Sequence, residues 1–356
     1  MPVKRLRPVL LCVWVSLAAC ASVPQQMRYF DPQAGGVMVV WPAAPETPRY
    51  RFAGELVGAP NFFAAQENDP GVAMNVLRWV AGIGRAAEDS SRSLLRPQSG
   101  MVDATGRIYV TDSGRQAVFV FDETAGELSI WKRADAGDDL ATPVGIAPGA
   151  DTEILVADST LARIVRLSAD GVPLGSFGAG QLGRPTGLAR DRAGRVFVAD
   201  SGEHDVKVFD LEGRLLKRIG RRGSAAGEFN APTHLAVSAD RLYVTDTLNA
   251  RVQSLTLEGE PLSSYGRRGL YLGNLIRPKG VAVDSDDNLY VVESFFDHLL
   301  VFGDDGTFLL PIGGPGSAAG RFFLPAGAWS DTRGRIFVAD MFNARVTIFL
   351  RLGEDV

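Results

Sequence analysis

Cysteine is nearly absent from this 356-residue chain: there are two, Cys12 and Cys20, both within the first twenty residues. A disulfide framework is therefore excluded, and the fold must rest on a large core. Histidine is almost as scarce, with three copies. Charge of one sign is lacking too. The 37 Lys and Arg stand against 41 Asp and Glu, for a formal net charge of −4. No general basic field exists to hold nucleic acid. The apolar run at 9–19 is too short to cross a bilayer comfortably. Motifs of familiar chemistry are also missing: there is no Ser-His-Asp motif, P-loop or CxxCH haem site. What the chain has in excess is turn formers, 40 Gly and 20 Pro. Without a collagen period, these point to an all-β protein of short strands.

The first nineteen residues read as an export signal, with Lys4, Arg5 and Arg7 ahead of the apolar run. Leu17-Ala18-Ala19-Cys20 resembles the lipobox of bacterial lipoproteins. The resemblance implies cleavage before Cys20, lipidation of its thiol, and contact with the membrane through that lipid anchor only. Ala21 after the cysteine implies an outer-membrane destination in the bacterial cell envelope, facing periplasm or exterior. Loss of residues 1–19 removes three positive charges and takes the net charge from −4 to −7.

A proline recurs at Pro97, Pro143, Pro185, Pro232, Pro278 and Pro325, at intervals of 42–47 residues. Nine or ten residues after each comes a second shared run: RIYVTDS, EILVADS, RVFVADS, RLYVTDT, NLYVVES and RIFVADM. A third apolar run follows, then in most units a Gly-containing turn and a fourth. Four short strands per unit of this length is the signature of a β-propeller blade. The Trp-Asp and Gly-His marks of WD40 repeats are absent. The pattern P-x-G-[ILV]-A-x-D … [YF]-V-[AT]-D-[ST]-x-N-x-R-[VI] resembles the NHL repeat, best at Thr245-Asp246-Thr247-Leu248-Asn249-Ala250-Arg251-Val252. The resemblance covers 97–350 and implies an all-β, six-bladed propeller. The sixth repeat stops after its third strand. The segment 49–56 (RYRFAGEL) is expected to supply the fourth and close the ring, since an open edge invites aggregation.

This divides the chain into a signal at 1–19, a Pro-rich tether at 20–48, and a propeller at 49–352. The propeller comprises a clasp strand at 49–57, an insertion at 58–96 and the repeats at 97–352. Val37 to Trp41 of the tether are expected on the outer wall. Within the insertion, Val72, Val76, Trp79, Val80 and Ile83 form one apolar helical stripe, so a short helix is expected over 70–84, with Asp69 as cap and Pro70 first. It is expected over or beside the channel mouth, as fixed cap, lid or docking element. Leu161, Leu248, Phe295, Phe296 and Phe342 are its apolar neighbours there.

The acids closing strand two are Asp112, Asp158, Asp200, Asp246, Glu293 and Asp340. Six-fold recurrence marks them as structural, bonding turn backbone. Arg163, Arg251 and Arg345 occupy the NHL arginine position in alternate blades, and their expected partners are these acids. His204 and His298 fall in turns after strand two. His234 stands where four other repeats have Gly, so it should border the channel, hydrogen-bonded or touching a ligand. All three are expected on the proline-bearing face, as are Trp79, Phe295, Phe296 and Phe342, the candidate partner surface. Three imidazoles can bind zinc if they converge, but strand two lies farther from the axis than strand one.

The amidating lyase related to NHL proteins uses several channel histidines with zinc, and six-bladed calcium-dependent lactonases use Glu, Asn and Asp. Here the equivalent positions are mostly Gly, Leu, Ala and Val. The reading is a non-catalytic, monomeric binding or scaffold module without cofactor, engaging an envelope protein, peptide or glycan. The alternative is a lyase or lactonase, using zinc or calcium, centred on His234. Local basic loops at 217–222 and at Arg267-Arg268 offer attraction for anionic headgroups or an acidic partner, not for RNA.

Overall fold

The computed structural model describes residues 25–31, 38–64 and 91–353. The first five repeats each fold as one four-stranded antiparallel sheet, and with a composite sixth sheet they make an all-β, six-bladed propeller. Blade one comprises Pro97–Val102, Ile108–Asp112, Ala117–Asp122 and Glu127–Trp131, from innermost to outermost. Blades two to five repeat this order, their inner strands being Pro143–Pro148, Pro185–Arg190, Pro232–Val237 and Pro278–Val283. Blade six is assembled from both parts of the chain. Ala328–Ser330, Arg335–Asp340 and Arg345–Arg351 are joined by Tyr50–Leu56, which pairs antiparallel with Arg345–Arg351 from Val346↔Leu56 to Arg351↔Tyr50. Val40–Trp41 adds a short fifth strand outside it.

The second and third strands of the blades carry Val, Ile, Leu, Phe and Tyr on both faces and are buried almost throughout. Side chains of adjacent blades interdigitate in six apolar clusters, one per blade junction. The inner strands approach so closely that a Cβ on Gly187 would lie 2.7 Å from the Cα of His234. One on Gly145 would lie 2.2 Å from the Thr186 carbonyl oxygen. That contact is the reason for glycine two residues after the proline.

Part of the stretch read as a tether belongs to the wall. Gln25–Met27 pairs with Phe62–Ala64, and the Trp41 ring meets Phe349 edge-on at 5.2 Å. Asn61, fully buried, accepts from the amides of Val57 and Gly58 and donates to the carbonyls of Arg28 and Glu55. The two described ends of the insertion are tied together by backbone hydrogen bonds, the Leu94 amide donating to the Val57 carbonyl and the Ala59 amide to that of Arg92. The expected helix at 70–84, with Trp79, lies outside the described residues, as does Cys20. Three single 3-10 turns are described, Ala59–Asn61, Thr247–Asn249 and Met341–Asn343.

Candidate functional site

The strand-two acids are buried, and each is consumed by its own blade. Asp112 accepts the amides of Leu95, Arg96 and Arg115, and Asp158 those of Ala141, Thr142, Thr160 and Leu161. Asp200, Asp246, Glu293 and Asp340 accept amides from Gly183, Asn230, Ile276 and Phe323 respectively. The carboxylate thus fastens the segment entering strand one to the end of strand two. That is a fold-building task.

The arginines divide. Arg251 binds Asp246 at 2.8 Å and Arg345 binds Asp340 at 2.8 Å, as their spacing suggests. Arg163 does not reach Asp158. It pairs with Asp135 at 2.8 Å and Asp138 at 3.2 Å, in the connection ahead of blade two. Asp158 is already saturated by four amides, whereas Asp135 and Asp138 lie within reach.

Blade three has Asp205 at the arginine position, and its cation comes from an unexpected place. Lys207, fully buried, binds Asp200 at 2.8 Å and Asp205 at 2.7 Å. The sequence signal was there: Lys207 is two residues from Asp205, hence on the same face of the strand. Blade six carries a matching triad, Asp340–Arg345–Glu55, with Arg345 2.7 Å from Glu55 of the clasp strand. Burial raises the Glu55 carboxyl to about 7 against the pull of Arg345, with Asp340 adding to the rise.

The histidines are held in three separate ways. The Nδ1 of His204 accepts the Ala231 amide at 2.9 Å, and the Nδ1 of His298 lies 2.6 Å from the Phe296 carbonyl. His234 is buried on the inner strand of blade four, and neither ring nitrogen has a hydrogen-bond partner within the chain. Burial, helped by nearby Lys279, lowers it to about 3, so the ring is neutral at physiological pH. Among the described residues, no group of three or more His, Cys, Asp or Glu is placed to hold a metal ion. Phe295 and Phe342 are half exposed. Phe295 meets Phe296 at 5.0 Å and Phe342 meets Phe323 at 5.4 Å, so the aromatics form two separate pairs.

The channel holds a cavity of about 180 Å³ among the inner strands, lined by Ser99, Ile146, Leu188, Leu235, Val281 and Trp329 among others. It opens into a basin of about 580 Å³ at the end where the inner strands finish, away from the proline-bearing face. This is the larger cavity, and sequence reasoning missed it. Its lining includes the turn aspartates Asp103, Asp191, Asp284 and Asp331, with Arg190, Arg192, Ser238 and Arg333. Each of these aspartates is spoken for. Asp191 and Asp331 bind Arg195 and Arg335 four residues on, at 2.7 and 2.6 Å. Burial presses the Asp103 carboxyl upward, but bonds from Thr105, Tyr109 and Arg107 outweigh it and hold it below the usual range. The donors are less complete. Arg190 donates through one terminal nitrogen to the Gly149 carbonyl, yet its buried Nε has no partner, and neither has the buried Ser238 hydroxyl. The repeated D-x-x-G-R turns at 103–107, 191–195 and 331–335 were the readable signal for this basin.

A family model described as a 6-bladed beta-propeller matches residues 186–265. No curated protein sequence matches the chain. Among solved structures, a Bacteroides thetaiotaomicron protein of unknown function is similar at TM-score 0.58 and 13% identity, over 92% of this chain and 90% of that one. Virginiamycin B lyase from Staphylococcus aureus is similar at TM-score 0.54 and 13% identity, over 72% and 95%. A gluconolactonase from Xanthomonas campestris is similar at 0.56 and 18%, over 73% and 87%. At these identities the likeness is one of fold.

Proposed function

We propose that the chain is a non-catalytic binding module of the bacterial envelope, an NHL-type propeller exported and lipid-anchored through Cys20. Its ligand is a peptide or glycan that offers acceptor oxygens to the basin. The observation that carries this reading is the make-up of the basin: Asp103, Asp191, Asp284 and Asp331 are bonded internally, Asp287 is an exposed carboxylate, and Arg190 Nε and Ser238 Oγ are buried donors without a partner. A buried donor without a partner costs about 1–3 kcal/mol, which an entering acceptor relieves. Bonded carboxylates beside arginine and serine donors suit recognition of a ligand's oxygen atoms.

Function resides in the site and not in the fold, so likeness to a lyase and a lactonase does not transfer activity. A metal-dependent lyase or lactonase at His234 needs further ligands beside a lone imidazole lowered to about 3. The test is binding to arrayed oligosaccharides and peptides by the wild type, Arg190→Gln and His234→Ala. Ligands are expected to weaken about tenfold with Arg190→Gln, the loss typical of a charged hydrogen bond, and to be unaffected by His234→Ala. Metal-dependent turnover of virginiamycin B or gluconolactone, abolished by His234→Ala, would overturn the reading.

A further inference from the structure

Three connections between an outer strand and the next inner strand share one pattern. They are Gly220-Arg221-Arg222-Gly223-Ser224-Ala225-Ala226-Gly227 after blade three, Gly266-Arg267-Arg268-Gly269-Leu270-Tyr271-Leu272-Gly273 after blade four, and Gly313-Gly314-Pro315-Gly316-Ser317-Ala318-Ala319-Gly320 after blade five. The first and last glycines of all three have positive φ: 79° and 74°, 69° and 87°, 92° and 68°. Each loop closes with the same parallel bridge, Arg222↔Phe229, Arg268↔Leu275 and Pro315↔Phe322. The backbone therefore does not require large side chains at the middle positions, where two loops carry Ser-Ala-Ala. Only the third triplet is large and apolar, and it faces water: Leu270, Tyr271 and Leu272 are 74%, 83% and 57% exposed.

Arginines lie beside this apolar tip in its own loop and in the loop bonded to it. Arg268 donates to the carbonyl of Leu248, itself 57% exposed, and Asn249 donates to Gly223, next to Arg222. The turn at Thr247–Asn249 thus joins the two Arg-Arg loops. Arg222, Arg267, Arg268 and Arg277 have no acidic partner among the described residues. Arg221, by contrast, is paired with Glu228. Three adjoining apolar side chains on a projecting loop present a wedge, not a groove, so they suit a fluid interface better than a shaped protein surface. Tyr at such a tip, with Arg beside it, matches the polarity gradient of a lipid boundary.

We infer that the 270–272 tip and its neighbouring arginines dock on an anionic phospholipid surface, a second membrane contact beyond any lipid at Cys20. Apolar insertion holds the tip, and the arginines are attracted by headgroup phosphates. The orientation of the propeller follows, because this contact fixes blades four and five toward the bilayer.

The test uses the full chain with vesicles of phosphatidylcholine, with and without phosphatidylglycerol. Replacing Leu270-Tyr271-Leu272 by the Ser-Ala-Ala of the sister loops is expected to weaken binding on the order of tenfold. Arg267→Gln/Arg268→Gln is expected to weaken it about fivefold per arginine, only on phosphatidylglycerol and less at high salt. Tyr271→Trp supplies a local reporter. Brominated phosphatidylglycerol should quench it beyond the signal of the five natural tryptophans. Both loop variants should keep the wild-type melting curve, since the loop shape is shared. Undiminished vesicle binding by the Ser-Ala-Ala variant overturns the inference, as does an indole reporter at position 271 that stays unquenched on bound vesicles. So does a Ser-Ala-Ala effect confined to binding of polyglutamate, which would make the tip a docking point for an acidic protein.

Discussion

Blades three and six solve one electrostatic problem with the same parts in different arrangements. In each, a buried cation sits between two buried carboxylates: Lys207 between Asp200 and Asp205, and Arg345 between Asp340 and Glu55. In blade three all three residues lie within one hairpin, 200–207. In blade six Glu55 lies 290 positions from Arg345. Arg345 also donates to the carbonyls of Ser317, Ala318 and Arg321, bonds that Lys207 has no counterpart for. The local triad stabilises a blade that would exist anyway. The distant one helps to make the blade exist.

The largest expected effect tests that difference. Arg345→Met strands two acids and three carbonyls, so a loss above about 4 kcal/mol is expected in chemical denaturation. Proteolysis at the clasp should precede global unfolding. Lys207→Met should cost about 3–5 kcal/mol, since it leaves two buried acids with only the longer 3.7 Å contact from Arg218 to Asp205. Adding Asp200→Asn and Asp205→Asn should restore part of it. The equivalent neutralisation in blade six should rescue less, because the three carbonyls stay unpaired. Equal rescue in both blades would erase the distinction drawn here.

A smaller effect concerns pH. Each triad has one cation for two acids. The Glu55 carboxyl is raised from 4.5 to about 7, so between those values the folded protein holds a proton that the unfolded chain has released. Stability from this group is full below pH 4.5 and is lost as pH rises through about 7. The wild type should therefore lose up to a few kcal/mol over that interval relative to Glu55→Gln, read as the difference between the two melting profiles. The smallest effect lies outside both triads. His234→Leu removes two unpartnered buried nitrogens and should stabilise by about 1 kcal/mol, measured by thermal denaturation.

Much of the fold could be read from the chain because each blade repeats its constraints. Pro-x-Gly marks the close approach of inner strands, and the strand-two acid marks the bonded turn. The need of an unfinished sixth repeat for a partner pointed to RYRFAGEL. The site was less legible. In-phase repeats tell which positions are equivalent but not which equivalents differ in surroundings. Arg163 has the same place as Arg251 yet serves Asp135 instead of Asp158, because a connecting loop supplies a nearer acid. The three histidines drew attention to the proline-bearing face. The larger basin at the other end is built from the D-x-x-G-R turns of several blades, a signal visible only when the repeats are compared. The triplet Leu270-Tyr271-Leu272 stands out only once its loop is aligned with its sisters.

The pairing of Tyr50–Leu56 with Arg345–Arg351 also sets a timetable. During synthesis the clasp strand emerges early and must wait, unpaired, until almost the whole ring has been made. Contacts of such long sequence separation form late, so five blades can stack before the sixth is sealed. An interrupted chain would present the edge of an unfinished sheet, a surface prone to association.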